Sequence, residues 1–254
     1  MNALPMKKSL GCVIKTCEQH GDYNAESYEG FGGRRILYST CPECEKEYQA
    51  QKKAEEESRK LSQETAKLRW AGISQRFINV NFSGFEMVCR EATANLKKIK
   101  TYCEKFPEIK SNGSSVIMCG MPGTGKTHLA SALVISLIKA GHDCKYTTSY
   151  KIMARLKATY DRNNAKETEK EVISELAGCA LLVIDEVGVQ FGSETEKILF
   201  YQIINGRYDN VLPTVLISNL TADELKKFIG ERCFDRLREG GGAVLSFGWD
   251  SYRK

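Results

Sequence analysis

Short unbroken apolar runs alternate with helically spaced ones along most of the chain, and the two patterns predict different elements. Val116-Ile117-Met118-Cys119, Ala180-Leu181-Leu182-Val183-Ile184 and Thr214-Val215-Leu216-Ile217-Ser218 have the length and β-prone content of strands buried on both faces. Cys144-Lys145-Tyr146-Thr147-Thr148 and residues 243–247 read as two further strands. Apolar side chains recur at helical spacing over 128–140, and 90–110 reads as one amphipathic helix whose stripe is Ala92, Leu96, Ile99 and Cys103. Segments 150–160 and 230–238 also read as helical. Residues 45–70 contain neither Gly nor Pro and are dense in Glu, Lys, Gln, Ala and Arg. Their sparse apolar positions, Ala54, Leu61 and Leu68, predict a solvated connector helix rather than a firm coiled coil. Ala71-Gly72-Ile73 ends that helix, and Phe77, Val80, Phe82 and Phe85 begin the apolar anchoring of a larger domain. Strands and helices in alternation predict an α/β fold with a central parallel sheet flanked by helices.

Composition narrows the class. At 254 residues and 42% hydrophobic, the chain is long enough for one sizeable core plus a small accessory domain. A formal net charge of +5, from 37 basic and 32 acidic residues, tilts only slightly toward an anionic partner, so the placement of charge matters more than its total. No apolar run approaches membrane length, and the lysine-bearing start lacks a following apolar core, so a cytoplasmic protein with no membrane partner is expected. Of ten cysteines, Cys12, Cys17, Cys41 and Cys44 cluster at the front and the rest scatter among apolar segments. That distribution fits a reducing compartment and one metal site better than a disulfide framework.

The run Gly120-Met121-Pro122-Gly123-Thr124-Gly125-Lys126-Thr127, followed by His128, carries the most specific chemistry. Glycines here allow backbone N–H groups to turn toward phosphate oxygens, and the N-terminus of the following helix favours the same negative charge. Gly120, Pro122, Gly123, Thr124, Gly125, Lys126, Thr127 and His128 are the expected nucleotide-binding residues, with Lys126 on the β- and γ-phosphates of ATP and Thr127 on Mg²⁺. The alternative, a plain glycine-rich turn, leaves the preceding strand and following helix unexplained. Asp185-Glu186 end the second buried run. Asp185 is expected in the Mg²⁺ shell and Glu186 beside the attacking water, with Asn219, at the end of the next strand, orienting that water. A turn-forming role is the alternative for Asn219.

Two ligand pairs stand near the front, Cys17-Glu18-Gln19-His20 and Cys41-Pro42-Glu43-Cys44, separated by an insert that suits a short hairpin. Soft thiolates and an imidazole at this spacing predict a tetrahedral Zn²⁺ site of Cys17, His20, Cys41 and Cys44, with Cys12 competing with His20 for one position. So small a segment needs its metal to fold. Along 150–162, Lys151, Arg155, Lys157, Tyr160 and Arg162 interleave charge and aromatic faces, as a single-stranded DNA surface would; a solvated helix face is the alternative. Arg232 and Arg236 lie four apart on one helical face. Either could stabilise charge on a neighbouring subunit's γ-phosphate. The short stretch after Arg236 is expected to leave no room for a helical lid.

Together the motifs at 120–127, 181–186, 214–219 and 230–238, with the ending Trp249-Asp250-Ser251-Tyr252-Arg253, resemble the AAA+ domain of the DnaC family of replicative helicase loaders. The resemblance implies ATP hydrolysis, assembly of a homo-oligomer through the AAA+ domains, the finger position for Arg236 and a single-strand-binding element at 151–162. It also implies delivery of a DnaB-type hexameric helicase onto single-stranded DNA at replication initiation. The front end departs from the family by carrying a zinc module, as a phage or prophage variant would. The expected domains are residues 1–45 for the zinc module, 46–71 for the connector and 72–254 for the ATPase. The rival reading is a transposition helper ATPase of the IstB type. A small-molecule P-loop kinase is disfavoured by Asp185-Glu186 and Asn219, and a non-catalytic zinc and DNA adaptor would lack turnover.

Overall fold

The front of the chain folds around a turn rather than a core. In the computed structural model, which describes residues 9–30, 36–161, 165–188 and 194–252, strands β1 (Ser9–Cys17) and β2 (Gly21–Glu29) form an antiparallel hairpin closed by Glu18, Gln19 and His20. Strand β3 (Ile36–Tyr38) pairs with β2, giving sheet order β1-β2-β3. The hairpin expected between the two ligand pairs is therefore β2–β3, and β1 is an additional strand. Helix α1 (Pro42–Trp70) follows, Pro42 sitting where a missing N–H costs nothing. Leu61 is exposed and Leu68 buried, in keeping with a helix solvated along most of its length. Two compact units, Met1–Gln63 and Glu64–Lys254, divide the chain, and their boundary falls inside α1.

The second unit opens with two short 3-10 turns, Gln75–Phe77 and Phe82–Gly84, and then departs from expectation. Instead of one helix over 90–110 there are α2 (Arg90–Glu104) and α3 (Phe106–Asn112), joined at Lys105. Pro107 is the physical cause: it cannot donate in a helix interior but is tolerated in a first turn, so a new helix starts there. Ala92, Leu96 and Ile99 are buried as the stripe predicts, and Cys103 is partly buried.

Strand β4 (Val116–Gly120) leads to α4 (Lys126–Lys139), β5 (Cys144–Thr148), α5 (Ser149–Ala158), α6 (Glu169–Gly178) and β6 (Leu181–Val187). Then come α7 (Glu194–Asp209), β7 (Thr214–Ser218), α8 (Ala222–Ile229), α9 (Glu231–Arg238) and β8 (Ala243–Phe247). The five strands form a parallel sheet in the order β5-β6-β7-β4-β8. Alternate strand residues enter opposite layers, Met118 and Val183 with α2 and α4 on one face, Ile117 and Ile184 with α5, α6, α7 and α9 on the other. Arg207 is fully buried yet satisfied, donating to Thr214 Oγ1 at 2.9 Å and to the carbonyls of Leu176, Cys179 and Pro213 at 2.8, 2.9 and 2.5 Å. It ties α7 to the C-terminal end of α6 and to the start of β7.

Candidate functional site

The ends of β4, β6 and β7 converge on one cavity of about 390 Å³, lined by Gly123 to His128, Asp185, Glu186 and Asn219. Gly123 and Gly125 have φ of 78° and 91°, and a Cβ there would lie 2.0 Å from Ser251 Oγ and 2.6 Å from the Phe85 ring. Only glycine satisfies both the turn and the packing. Lys126 is buried, and its ammonium donates to the carbonyls of Gly120 at 2.8 Å and Met121 at 2.6 Å, across the loop it belongs to. Thr124 braces the loop through its hydroxyl on the Met121 carbonyl at 2.7 Å. The His128 imidazole donates to the Asn81 carbonyl at 2.9 Å and stands edge-on to Phe85.

Asp185 sits at the tip of β6, where its Oδ2 accepts from Thr127 Oγ1 at 2.9 Å and from the Tyr146 hydroxyl at 2.5 Å. Its Oδ1 accepts from the Glu186 N–H at 2.7 Å. Burial and the Asp185 charge push the Tyr146 phenol well up, so the hydroxyl stays protonated and donates. Glu186 is exposed and left-handed at φ 59°, where the β6–β7 register shifts between Ile184 and Val187. That uncommon backbone turns its carboxylate off the strand alternation. Tyr146, Arg76, Phe77, Phe85, Glu86 and Tyr252 were not expected as site residues. Tyr252 closes the wall, its N–H donating to the Gly123 carbonyl at 3.0 Å and its hydroxyl to the Glu86 carbonyl. The apolar spacing of Phe77 and Phe85 marked them only as anchors. Arg253 lies outside the described residues.

Arg236 occupies the other end of the sheet. It lines a second cavity with Ser115 and Thr214, at the starts of β4 and β7, whereas the phosphate loop follows the end of β4. The strand alone separates those ends by about 13–16 Å. Its guanidinium donates to the Tyr201 hydroxyl at 2.6 Å and to Asn205 Oδ1, and lies 5.1 and 5.0 Å from the Tyr201 and Tyr208 ring centres. Arg232, one turn earlier on α9, is exposed.

On α5 the structure separates residues that the sequence grouped. Lys151 and Lys157 on α5 and Tyr160 just after it are exposed, and Arg155 is half-buried: its Nε and Nη2 donate to the two Glu167 oxygens at 2.5 Å each, and Nη2 also reaches Glu175. Arg155, expected as a cation for single-stranded DNA, thus carries two carboxylate partners through Nε and Nη2 while its side chain remains half-buried. The Arg155 hydrogen bonds hold the Glu167 carboxyl below its usual range. Burial pushes Glu175 up, but Arg155 and Lys145 outweigh it and leave the carboxyl lowered. Tyr160 donates its hydroxyl to Glu169 at 3.0 Å. Arg162 lies outside the described residues.

In the first unit the hairpin turn presents Cys17 and His20 to Cys41 and Cys44, which flank the start of α1, and all four ligand atoms lie within 4.8 Å of one another. Cys44 Sγ is 3.4 Å from Cys17 Sγ and 3.3 Å from His20 Nδ1, and Nδ1 is 3.8 Å from both Cys17 and Cys41. A tetrahedral centre with Zn–S of about 2.3 Å and Zn–N of about 2.0–2.1 Å has ligand–ligand edges of roughly 3.5–3.8 Å, so this donor set fits Zn²⁺. Backbone N–H groups of Gln19 and His20 draw the Cys17 thiol down to about 6, toward the ligating thiolate. Cys12 is exposed on β1 and is not in the cluster, so the geometry assembles the set with His20. The remaining ring nitrogen of His20 stands 3.2 Å from Glu47 Oε1, a carboxylate support that the spacing did not reveal.

Comparison with known proteins gives a consistent result. Residues 49–254 match the family described as IstB-like ATP binding proteins, leaving residues 1–48 outside the match. The replicative helicase loader DnaC of Escherichia coli K12 is 36% identical over 183 residues, which are 72% of this chain and 73% of that protein. Among solved structures, a DnaC helicase loader superposes with a TM-score of 0.60 at 21% identity, covering 68% of this chain and 99% of that one. A replication initiator DnaA bound to AMPPCP and single-stranded DNA gives 0.57 at 21% identity, covering 70% and 51%. These two share the fold, and the resemblance to DnaC-type AAA+ proteins is borne out. Among the described residues no helix is long and apolar enough to cross a membrane.

Proposed function

Because the chain belongs to the IstB-like ATP-binding protein family and has DnaC replicative helicase loaders as relatives, we propose that it is an ATP-hydrolysing loader delivering a DnaB-type hexameric helicase onto single-stranded DNA. The observation that carries the reading is the convergence of Lys126, Thr127, Asp185, Glu186 and Asn219 on one cavity at the strand ends. The loop N–H groups and Lys126 bind the phosphates, while Thr127 and Asp185 hold Mg²⁺ with hard oxygens. Mg²⁺ supplies charge neutralisation on the β- and γ-phosphate oxygens. Glu186, turned off the strand, polarises a water, and Asn219 orients it. Arg236 is too far along the sheet to serve its own cavity, which favours action on a neighbour in an AAA+ homo-oligomer.

The cysteine–histidine cluster binds one structural Zn²⁺ through Cys17, His20, Cys41 and Cys44, with Glu47 orienting His20. Its module lies outside the family match and is the part that grips the helicase. Lys151, Lys157, Tyr160 and Arg162 contact single-stranded DNA, and Arg155 holds α5 to Glu167 and to Glu175 of α6. The family description also admits a transposition helper of the IstB type, but relatives at 36% identity favour the loader. Affinity capture with the full chain separates the two. A replicative helicase retained in ATP supports the loader, and a transposase retained in its place overturns it.

A further inference from the structure

One side chain of the edge strand reaches the nucleotide site. Tyr146, on β5, donates its hydroxyl to Asp185 Oδ2 at 2.5 Å, beside the Thr127 hydroxyl at 2.9 Å, while the Glu186 N–H occupies Oδ1 at 2.7 Å. The carboxylate is held by donors from three elements. Thr127 is also the hydroxyl expected on Mg²⁺, whereas Tyr146, whose hydroxyl also neighbours Thr127 and Ser131, holds the carboxylate without being expected on the metal.

The backbone of Tyr146 is fixed in turn by the exit of α1. Its N–H donates to the Ala71 carbonyl at 2.6 Å. Gly72, at φ 95°, packs so closely that a Cβ would lie 1.9 Å from the Tyr146 carbonyl oxygen. Next to it, the Lys145 ammonium lies 3.0 Å from the Trp70 ring centre and 3.1 Å from Glu175. The last turn of α1 is thus fastened to the strand residue that holds Asp185.

We infer that Tyr146 is a positioning residue for Asp185, and that the Trp70–Gly72 exit of the connector sets where Tyr146 stands. Displacing the exit moves the phenol, and moving the phenol releases the carboxylate that must meet Mg²⁺. The inference rests on the ATPase reading, and its test separates the two.

A fluorescent ATP analogue is titrated into the full-length protein in EDTA and at stepped Mg²⁺. Tyr146→Phe should bind as the parent does in EDTA, but the Mg²⁺ midpoint for strengthened binding should rise by roughly tenfold or more, as expected for loss of about one hydrogen bond to a carboxylate. A parent-like midpoint overturns the positioning role. Asp185→Asn should abolish the Mg²⁺ response; if it leaves the response intact, the nucleotide-site reading fails and this inference falls with it. Gly72→Ala, confirmed folded by thermal melting, should shift the midpoint as Tyr146→Phe does although it touches no group in the cavity. Trp70→Ala, which leaves the backbone alone, serves if the glycine variant does not fold. An unshifted midpoint in the folded exit variant overturns the connector's part.

Discussion

Thr127 on the first turn of α4 donates to Asp185 at the tip of β6, 58 residues later, at 2.9 Å. The contact brings together two residues that a magnesium–nucleotide site needs in one place, and Glu186, left-handed at the β6 register shift, follows directly. Replacing Glu186 by Gln keeps the shape and removes the base. Turnover should fall by about 10²–10⁴ while ATP affinity is retained, as measured by steady-state phosphate release and nucleotide binding. Equal loss of binding and turnover would move Glu186 from the water to the nucleotide.

Arg236→Ala should lower turnover by about 10³–10⁵ where hydrolysis depends on a finger, with ATP binding by the same chain intact. Lys126→Ala should lose ATP and keep the finger. Mixing the two variants creates interfaces with an intact loop and an intact arginine, so activity should return in the mixture. Coassembly without recovered activity would direct attention to Arg232.

Elemental analysis should give one zinc per chain. Cys41→Ser should release it and unfold the first unit while nucleotide binding persists, and Cys12→Ser should keep it. Glu47→Gln should weaken zinc affinity by about 10–100-fold, the usual effect of losing a carboxylate behind a ligating histidine, as read by competition with a chelator. A folded first unit without metal would contradict the site.

Tyr160→Ala should weaken single-stranded DNA binding by about 1–3 kcal/mol if a base stacks on the ring, and Lys151→Ala or Lys157→Ala should flatten the salt dependence. Arg155→Ala should act on stability instead. Glu167 and Glu175 are lowered from 4.5 in the folded chain, so their contribution is present above that value and is lost as pH falls through the folded pKa values. Thermal melting of the parent should therefore drop on acidification below about pH 4.5, and the Arg155→Ala protein should show a shallower drop. Unchanged acid sensitivity would remove Arg155 from this role.

The central strands were legible because parallel strands covered on both faces carry continuous apolar runs, and β4, β6 and β7 fall where those runs predict. Helices α6 and α8 were not read, although Thr168 with Glu171 and Thr221 with Glu224 form capping boxes whose spacing announces a helix start. What the chain order hides is pairing across the sheet. Tyr146 meets Asp185 only because β5 and β6 are neighbours in register, Thr148 opposite Asp185. Arg155 is half-buried and paired with Glu167 and Glu175, which come from the following turn and helix. No local pattern distinguishes such an arginine from one that faces a nucleic acid.

Transfer of a DnaB-type hexamer onto closed circular single-stranded DNA tests the loader most directly, because a closed circle cannot thread a closed ring. With ATP, the intact chain should leave helicase stably on the circles, and Lys126→Ala should leave circles bare under the same conditions. Helicase on the circles in equal amount with and without the intact chain, or with the Lys126→Ala protein, would contradict the account.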